Sequence, residues 1–367
     1  MPALCGVGRN MNNDFNNNPF ENKYEFDFYD SITVKDAKRA VSRSSLGLFL
    51  VSAVTTAVIL AVHLILAFAL GKDGYTALVA NPYFYIPMGT LLMYAIGLPL
   101  LWLLIKDLPK RTKKSNQGLS ITELLAVIPV MQFLANLGQN IGLMLDGVIT
   151  EAFGVDSTNP VDSLTTDVPV WLMIAITVVI APIVEEFIFR KLLLDRLSVY
   201  GNVFAIVLTS VMFGLFHGNL YQMFYAFTIG LVFGYVTVKG GSWLWGVALH
   251  MFMNFLNGAL ITLLEDHLNN YYVALDAYIA GDAETFTANI DSFMIGGSLA
   301  AILGMLSLLG GIILAYSAIK KTIRIQNDPQ IAIPKGQTAP IVFANIGFAL
   351  LLIFTAVEVL IEYVPIF

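Results

Sequence analysis

Nine apolar stretches, each bounded by polar or charged residues, organise the chain: 46–70, 84–105, 122–145, 169–199, 203–217, 221–238, 243–264, 293–318 and 341–363. A helix that crosses the hydrocarbon core of a bilayer needs about 20 mainly apolar residues, and most of these stretches reach that length. The fourth is long and ends in charge, and the fifth is short. The pattern predicts an all-α polytopic membrane protein with about eight to nine transmembrane segments, the short fifth ending inside the bilayer. No internal repeat divides the chain, so 45–367 reads as one membrane domain.

Residues 1–44 break this pattern. They are polar and rich in asparagine (Asn12, Asn13, Asn16, Asn17, Asn18). The expectation is a mostly disordered cytoplasmic extension, ending in a short surface helix near Ser31–Ser44. The first apolar run is too long for a signal-peptide core and is expected to be an uncleaved anchor. The terminal Val364-Pro365-Ile366-Phe367 carries no cysteine and is itself no prenylation signal.

Composition supports lipid as the main solvent. Of the 367 residues, 57% are hydrophobic and 13% charged, against about 25% charged in soluble domains. The single cysteine, Cys5, excludes an intrachain disulfide and a cysteine-based metal site. The net charge of −6 carries no sign of a nucleic-acid partner.

The placement of charge orients the segments. With alternating segments, 19 of the 20 Lys and Arg residues fall on one side, and only Lys72 falls on the other. The rich side is expected to be cytoplasmic, which places the protein in the cell membrane with its N-terminus inside and its C-terminus outside.

Ionisable groups within apolar segments are costly and are functional candidates by default. The first are Glu185 and Glu186, followed by Arg190. On a helix Glu186 and Arg190 share a face four residues apart, in the favourable acid-before-base order. Glu185 lies about 100° around the helix. It has no local partner and apolar surroundings, which suits a general base acting on water. The next candidates are His217, which shares a face with Phe213, and His250, which shares a face with Asn254. His63 is assigned to packing and His267 to a loop. Phe213 is read as packing against the site and Arg190 as the clamp for Glu186. Gly230 and Gly234 are read as close helix packing. Asn254 has two readings, one in the chemistry and one as a hydrogen-bonded bridge between helices.

Spacing predicts that these groups meet. Tyr200-Gly201-Asn202 reads as a hairpin turn; Glu185 lies 16 residues before Gly201 and His217 lies 16 after it. Both then stand roughly 24 Å above the turn. His250 lies about 10–12 Å into the seventh segment, so the three motifs are expected to converge in the cytoplasmic half of the membrane. The end of the fifth segment at His217-Gly218-Asn219 is irregular backbone at membrane depth, which predicts a cavity open to the cytoplasm.

The three motifs resemble those of the CPBP intramembrane protease family, also called the CAAX-protease/Abi family. The match is Glu185, Glu186 and Arg190, then Phe213 and His217, then His250 and Asn254, within a catalytic core at about 169–257. The resemblance implies an intramembrane endopeptidase that acts on a membrane-associated peptide or protein. It implies that Glu185 is the general base, that Glu185 and His217 activate water, and that His250 and Asn254 stabilise the oxyanion. Family members are often labelled metalloproteases, and Glu185, His217 and His250 are the set that a divalent metal such as zinc would use. The sequence requires no cofactor, since it has no His-Glu-x-x-His motif. Some bacterial relatives serve bacteriocin self-immunity or peptide maturation, and eukaryotic ones trim prenylated CaaX proteins. Two other readings use the same residues: a proton- or ion-coupled transporter, and a non-catalytic bacteriocin immunity protein. The sequence does not set the oligomeric state.

Overall fold

The computed structural model describes residues 19–111, 118–155, 168–325, 329 and 331–364. Cys5, the Asn-rich stretch 12–18, Lys113, Lys114 and residues 365–367 lie outside the described residues.

Local sequence signals set most helix ends. α1 spans Pro19–Val79 and breaks once, at Gly71, where φ is 67° and only glycine is unstrained. α2 spans Pro82–Ile105; Asn81 caps it by accepting from the Tyr83 amide, and Pro82 occupies the first turn. α3 spans Ile121–Phe153; Ser120 and Glu123 form a capping box at its start, and Gly154 ends it in the left-handed conformation.

Four helices then form the centre: α4 (Val170–Tyr200), α5 (Asn202–Phe216), α6 (Leu220–Gly240) and α7 (Leu244–Leu263). The periphery follows: α8 (Glu265–Ala280), α9 (Ala283–Ala288), α10 (Ile290–Lys320), α11 (Thr338–Phe343) and α12 (Ile346–Ile361). Among the described residues, seven helices are long and apolar enough to cross a membrane: α1 from Thr33, α2, α3, α4, α6, α7 and α10. α5 and α12 are shorter apolar helices. Every apolar stretch of the sequence thus falls on a helix, and the protein is an all-α polytopic membrane protein. Side chains such as Phe68 on α1 and Leu308 on α10 point outward, as lipid-facing residues do.

Two expectations are corrected. The helix near Ser31–Ser44 is neither short nor on the surface. It is the first part of α1, with Ala37, Ala40 and Val41 fully buried. Small residues let another backbone approach there. Asn345 donates to the Lys38 carbonyl at 2.9 Å, and a Cβ on Gly347 would collide with the Ser42 carbonyl. His267 lies on α8, not in a loop, and its Nδ1 meets the Ser292 hydroxyl at 3.1 Å. His63 packs edge-on against Tyr75 as expected, and its Nδ1 meets the Tyr75 hydroxyl at 3.0 Å.

Close packing of α3 on α6 steadies the centre. A Cβ on Gly138 would stand 2.5 Å from the Phe224 carbonyl, and one on Gly142 would run into the Leu220 carbonyl. Gly230 and Gly234 place α6 against Ser210, Phe213 and Ile206 of α5, as close helix packing requires.

Candidate active site

α4 is not a regular helix. It widens into π turns over Ile174–Ile180 and Phe187–Leu194, with a regular stretch at Ala181–Glu186 between them. The first π segment has a traceable effect. Ala181 donates to the Ile176 carbonyl, five residues back, and so bypasses Thr177. The residue five beyond Thr177 is Pro182, which has no N–H to give. The Thr177 carbonyl therefore loses its intrahelical donor and is satisfied from another helix: Asn254 on α7 donates to it at 2.8 Å. Asn254 thus bridges helices, which is one of its two expected roles. It fixes α7 against α4 one turn from His250.

The two glutamates occupy different surroundings. Glu186 and Arg190 form the ion pair that their spacing predicts, with Arg190 Nε 3.1 Å from Glu186 Oε2 and both side chains 0% exposed. The Arg190 guanidinium lies over the rings of Phe213 at 5.2 Å and Phe233 at 5.8 Å, so aromatic faces share in compensating its charge. Gly246 of α7 makes room for the carboxylate, since a Cβ there would stand 2.5 Å from Glu186 Oε2. Glu185 remains 16% exposed and is the less buried of the two carboxylates.

His250 joins the two acids. Its Nδ1 is 3.4 Å from Glu186 Oε1, and its Nε2 is 3.8 Å from Glu185 Oε2. Glu185 therefore has a partner after all, one that comes from α7 and not from its own helix. The imidazole is stacked on Phe233 at 4.9 Å and 25°, with Phe213 edge-on at 5.8 Å. These rings hold the imidazole plane while its two nitrogens face two carboxylates.

His217 ends α5. Its Nδ1 contacts the Phe213 carbonyl at 2.8 Å, so Nδ1 carries the hydrogen in the neutral ring and Nε2 is the acceptor. The ring packs edge-on against Phe213 at 4.9 Å. Phe213 thus touches both histidines and is the link between them. The turn that follows is held by Asn219, whose amide donates to the His217 carbonyl at 2.8 Å and whose Oδ1 caps α6 by accepting from Gln222. That satisfies irregular backbone between two apolar helices. Glu358 of α12 packs against Gly218, where φ is +67°.

The metal set named from the sequence does not come together. The His250 nitrogens lie 3.4 and 3.8 Å from the glutamate oxygens, and among the described residues no three His, Cys, Asp or Glu side chains are placed to hold a metal ion.

A cavity of about 160 Å³ lies at the basic end of the bundle, and its lining includes Arg190, Thr237 and Trp243 but not Glu185, His217 or His250. Phe187 and Trp243 pack edge-on at 5.9 Å between the α4 and α7 ends.

Three contributors escape a reading of the sequence. Phe233 and Gly246 are ordinary apolar-helix residues with no polar signal. The third is a clasp in which Gln132 of α3 and Asn257 of α7 exchange hydrogen bonds at 3.0 and 3.2 Å. Both are amides within apolar segments, which is the signal that could have found them.

Residues 167–256 match the model of the Rce1-like family, described as type II CAAX prenyl endopeptidase Rce1-like. A protein of Bacillus subtilis (strain 168) named "Putative membrane peptidase YdiL" is 27% identical over 157 residues, which cover 41% of this chain and 62% of that protein. No solved structure matches the chain.

Proposed function

With this chain a member of the CAAX/CPBP protease family, we propose that it is an intramembrane endopeptidase whose attacking water is activated by Glu185. The observation that carries this reading is the asymmetry of the glutamate pair. Glu186 is sealed and neutralised by Arg190, whereas Glu185 keeps partial exposure and has His250 Nε2 at 3.8 Å.

In this reaction the Glu185 carboxylate takes a proton from water as the water oxygen bonds to the scissile carbonyl carbon. The carbonyl π electrons move to oxygen. As the tetrahedral species collapses, the C–N bond breaks and Glu185 returns the proton to the departing nitrogen. His250, oriented by Glu186 and Phe233, holds Glu185 in place and lies nearest the developing oxyanion. His217 offers its Nε2 lone pair to orient the water. Asn254 acts through position, since its amide is bound to Thr177. No step is routed through a metal. The substrate is a membrane-associated peptide or protein, with prenylated chain ends the first class to try. The basic end of the bundle faces the cytoplasm.

The test is cleavage of membrane-embedded peptides, with and without a prenyl group, by the full chain in liposomes. Glu185→Gln is the chosen variant because it keeps the shape of the side chain. Cleavage should fall at least about 100-fold, the range that general acid–base catalysis supplies. Turnover within twofold of wild type would overturn the assignment of Glu185.

A further inference from the structure

We propose that one face of α3, joined to the candidate active site through Asn257, is a substrate subsite that holds an extended peptide segment by its backbone. The proposal rests on the peptidase reading above. Asn and Gln are unevenly spread over the membrane helices: α2, α4 and α10 contain none, whereas α3 contains Gln132, Asn136, Gln139 and Asn140. At about 100° per residue these four fall within roughly 100° of one another, so they form one face. The face begins beside the site. Gln132, 1% exposed, is tied to Asn257 of α7, and Asn257 shares a face with His250, about 10 Å back along that helix. α3 is antiparallel to α6, since Gly138 meets Phe224 and Gly142 meets Leu220. It therefore runs with α7, and the face leads away from His250.

The row is anchored at one end and open at the other. Gln132 donates to Asn136 Oδ1 at 3.2 Å, and the Asn140 amide donates to the Asn136 carbonyl at 2.7 Å. Among the described residues, Asn136 Nδ2, Asn140 Oδ1 and the Gln139 amide meet no hydrogen-bond partner. Gln139 and Asn140 are exposed, and Leu143 continues the face at 42% exposure, so no described helix covers it. Open amides at membrane depth are costly and mark a functional surface. A peptide substrate has the matching need. An unwound peptide group in lipid has lost its helical partner and requires another. The repeats also agree: one turn of α3 rises about 6 Å, and peptide groups on one side of an extended chain recur about every 6.6 Å. About three extended residues span the 10 Å from His250 to the level of Asn257, and about four more reach Asn140. Neutral amides that serve a backbone select for an unwound segment and not for a particular side chain.

The test uses the full chain in micelles and membrane peptides that extend about two or about eight residues beyond the scissile bond, on either side. The variant is Asn136→Leu with Asn140→Leu, which keeps shape and leaves the Gln132 clasp intact; thermal unfolding and elution volume establish that it is folded. Cleavage gives KM and kcat. Fluorescence anisotropy gives the Kd of a long peptide for Glu185→Gln protein, with and without the two leucines, and needs no cleavage. On one of the two sides, the ratio of long-peptide to short-peptide kcat/KM should fall about tenfold in the variant, through KM, and the Kd should rise to match. A backbone ester at the third to seventh residue should weaken binding to the parent protein more than to the variant. A ratio and a Kd that both stay within about twofold overturn the subsite, and so does an equal loss for the two lengths. Binding that the leucines weaken, with no peptide cut by any protein, supports the subsite and overturns the peptidase reading. Neither binding nor cleavage of any peptide overturns both.

Discussion

Removing the charge of Glu186 should cost stability, whereas removing that of Glu185 should cost only activity. Glu186 and Arg190 are 3.1 Å apart and both 0% exposed. At an effective dielectric constant near 20, their attraction is about 5 kcal/mol. Glu186→Gln leaves the guanidinium buried without its paired carboxylate, against two aromatic faces and the more distant Glu185, and breaking such a pair typically costs about 3–5 kcal/mol. Replacing both partners, as Glu186→Gln with Arg190→Met, removes the stranded charge and should recover most of that loss, because a buried pair is often no better than an apolar substitute. Glu185 differs in that it is 16% exposed and its nearest partner atom is 3.8 Å away. Glu185→Gln should therefore change stability by less than about 1 kcal/mol. The measurement is reversible unfolding in mixed micelles, followed by tryptophan fluorescence, beside a cleavage assay on the same preparations. The expected pattern has Glu185→Gln folded and inactive, Glu186→Gln unstable, and the double variant stable and inactive. Equal destabilisation by the two single glutamine variants would refute the division of labour, as would a Glu186→Gln protein as stable as wild type.

Other outcomes follow from the same geometry. Gly246→Ala places a methyl group 2.5 Å from Glu186 Oε2, so kcat should fall about 100-fold, as for displacements near 1 Å in a catalytic group. Gly258→Ala, which meets nothing within 4 Å, is the control and should stay within twofold in the same assay. Asn254→Ala strands the Thr177 carbonyl and should cost about 1–3 kcal/mol in micelle unfolding. Adding Pro182→Ala supplies an N–H five residues beyond Thr177 and should restore at least half of that loss; no restoration would show that the carbonyl is not what Asn254 serves. Gly142→Ala forces a methyl group onto the Leu220 carbonyl. It should lower the unfolding midpoint by separating α3 from α6, while Gly147→Ala, in open space, leaves it unchanged.

Apolar length was enough to find the membrane helices, because the bilayer demands long apolar runs whatever their neighbours are. The short α5 and the turn at Gly201 were equally legible, the latter because glycine tolerates a φ of 129°. The i, i+4 pairing of Glu186 with Arg190 was fixed by helix geometry within one segment. Beyond one segment the sequence ran out. The partner of Glu185 is 65 residues away on α7, since His250 reaches both glutamates from across the bundle. Nothing in a hydropathy pattern ranks Phe233 or Gly246 above the other apolar residues of their helices. The π turns of α4, with Pro182, decide that Asn254 must spend its amide on Thr177. The surface helix expected near residue 40 failed for a related reason: small residues read as a polar tail in one dimension and as a packing face once α11 and α12 lie on them. The sequence by itself determined which residues are chemically able and which segments lie in lipid, since both follow from local composition. Only the tertiary structure decided that His250 joins both glutamates and that Glu185 stays partly exposed, because burial and cross-helix distance belong to the packed bundle and not to any one of its helices.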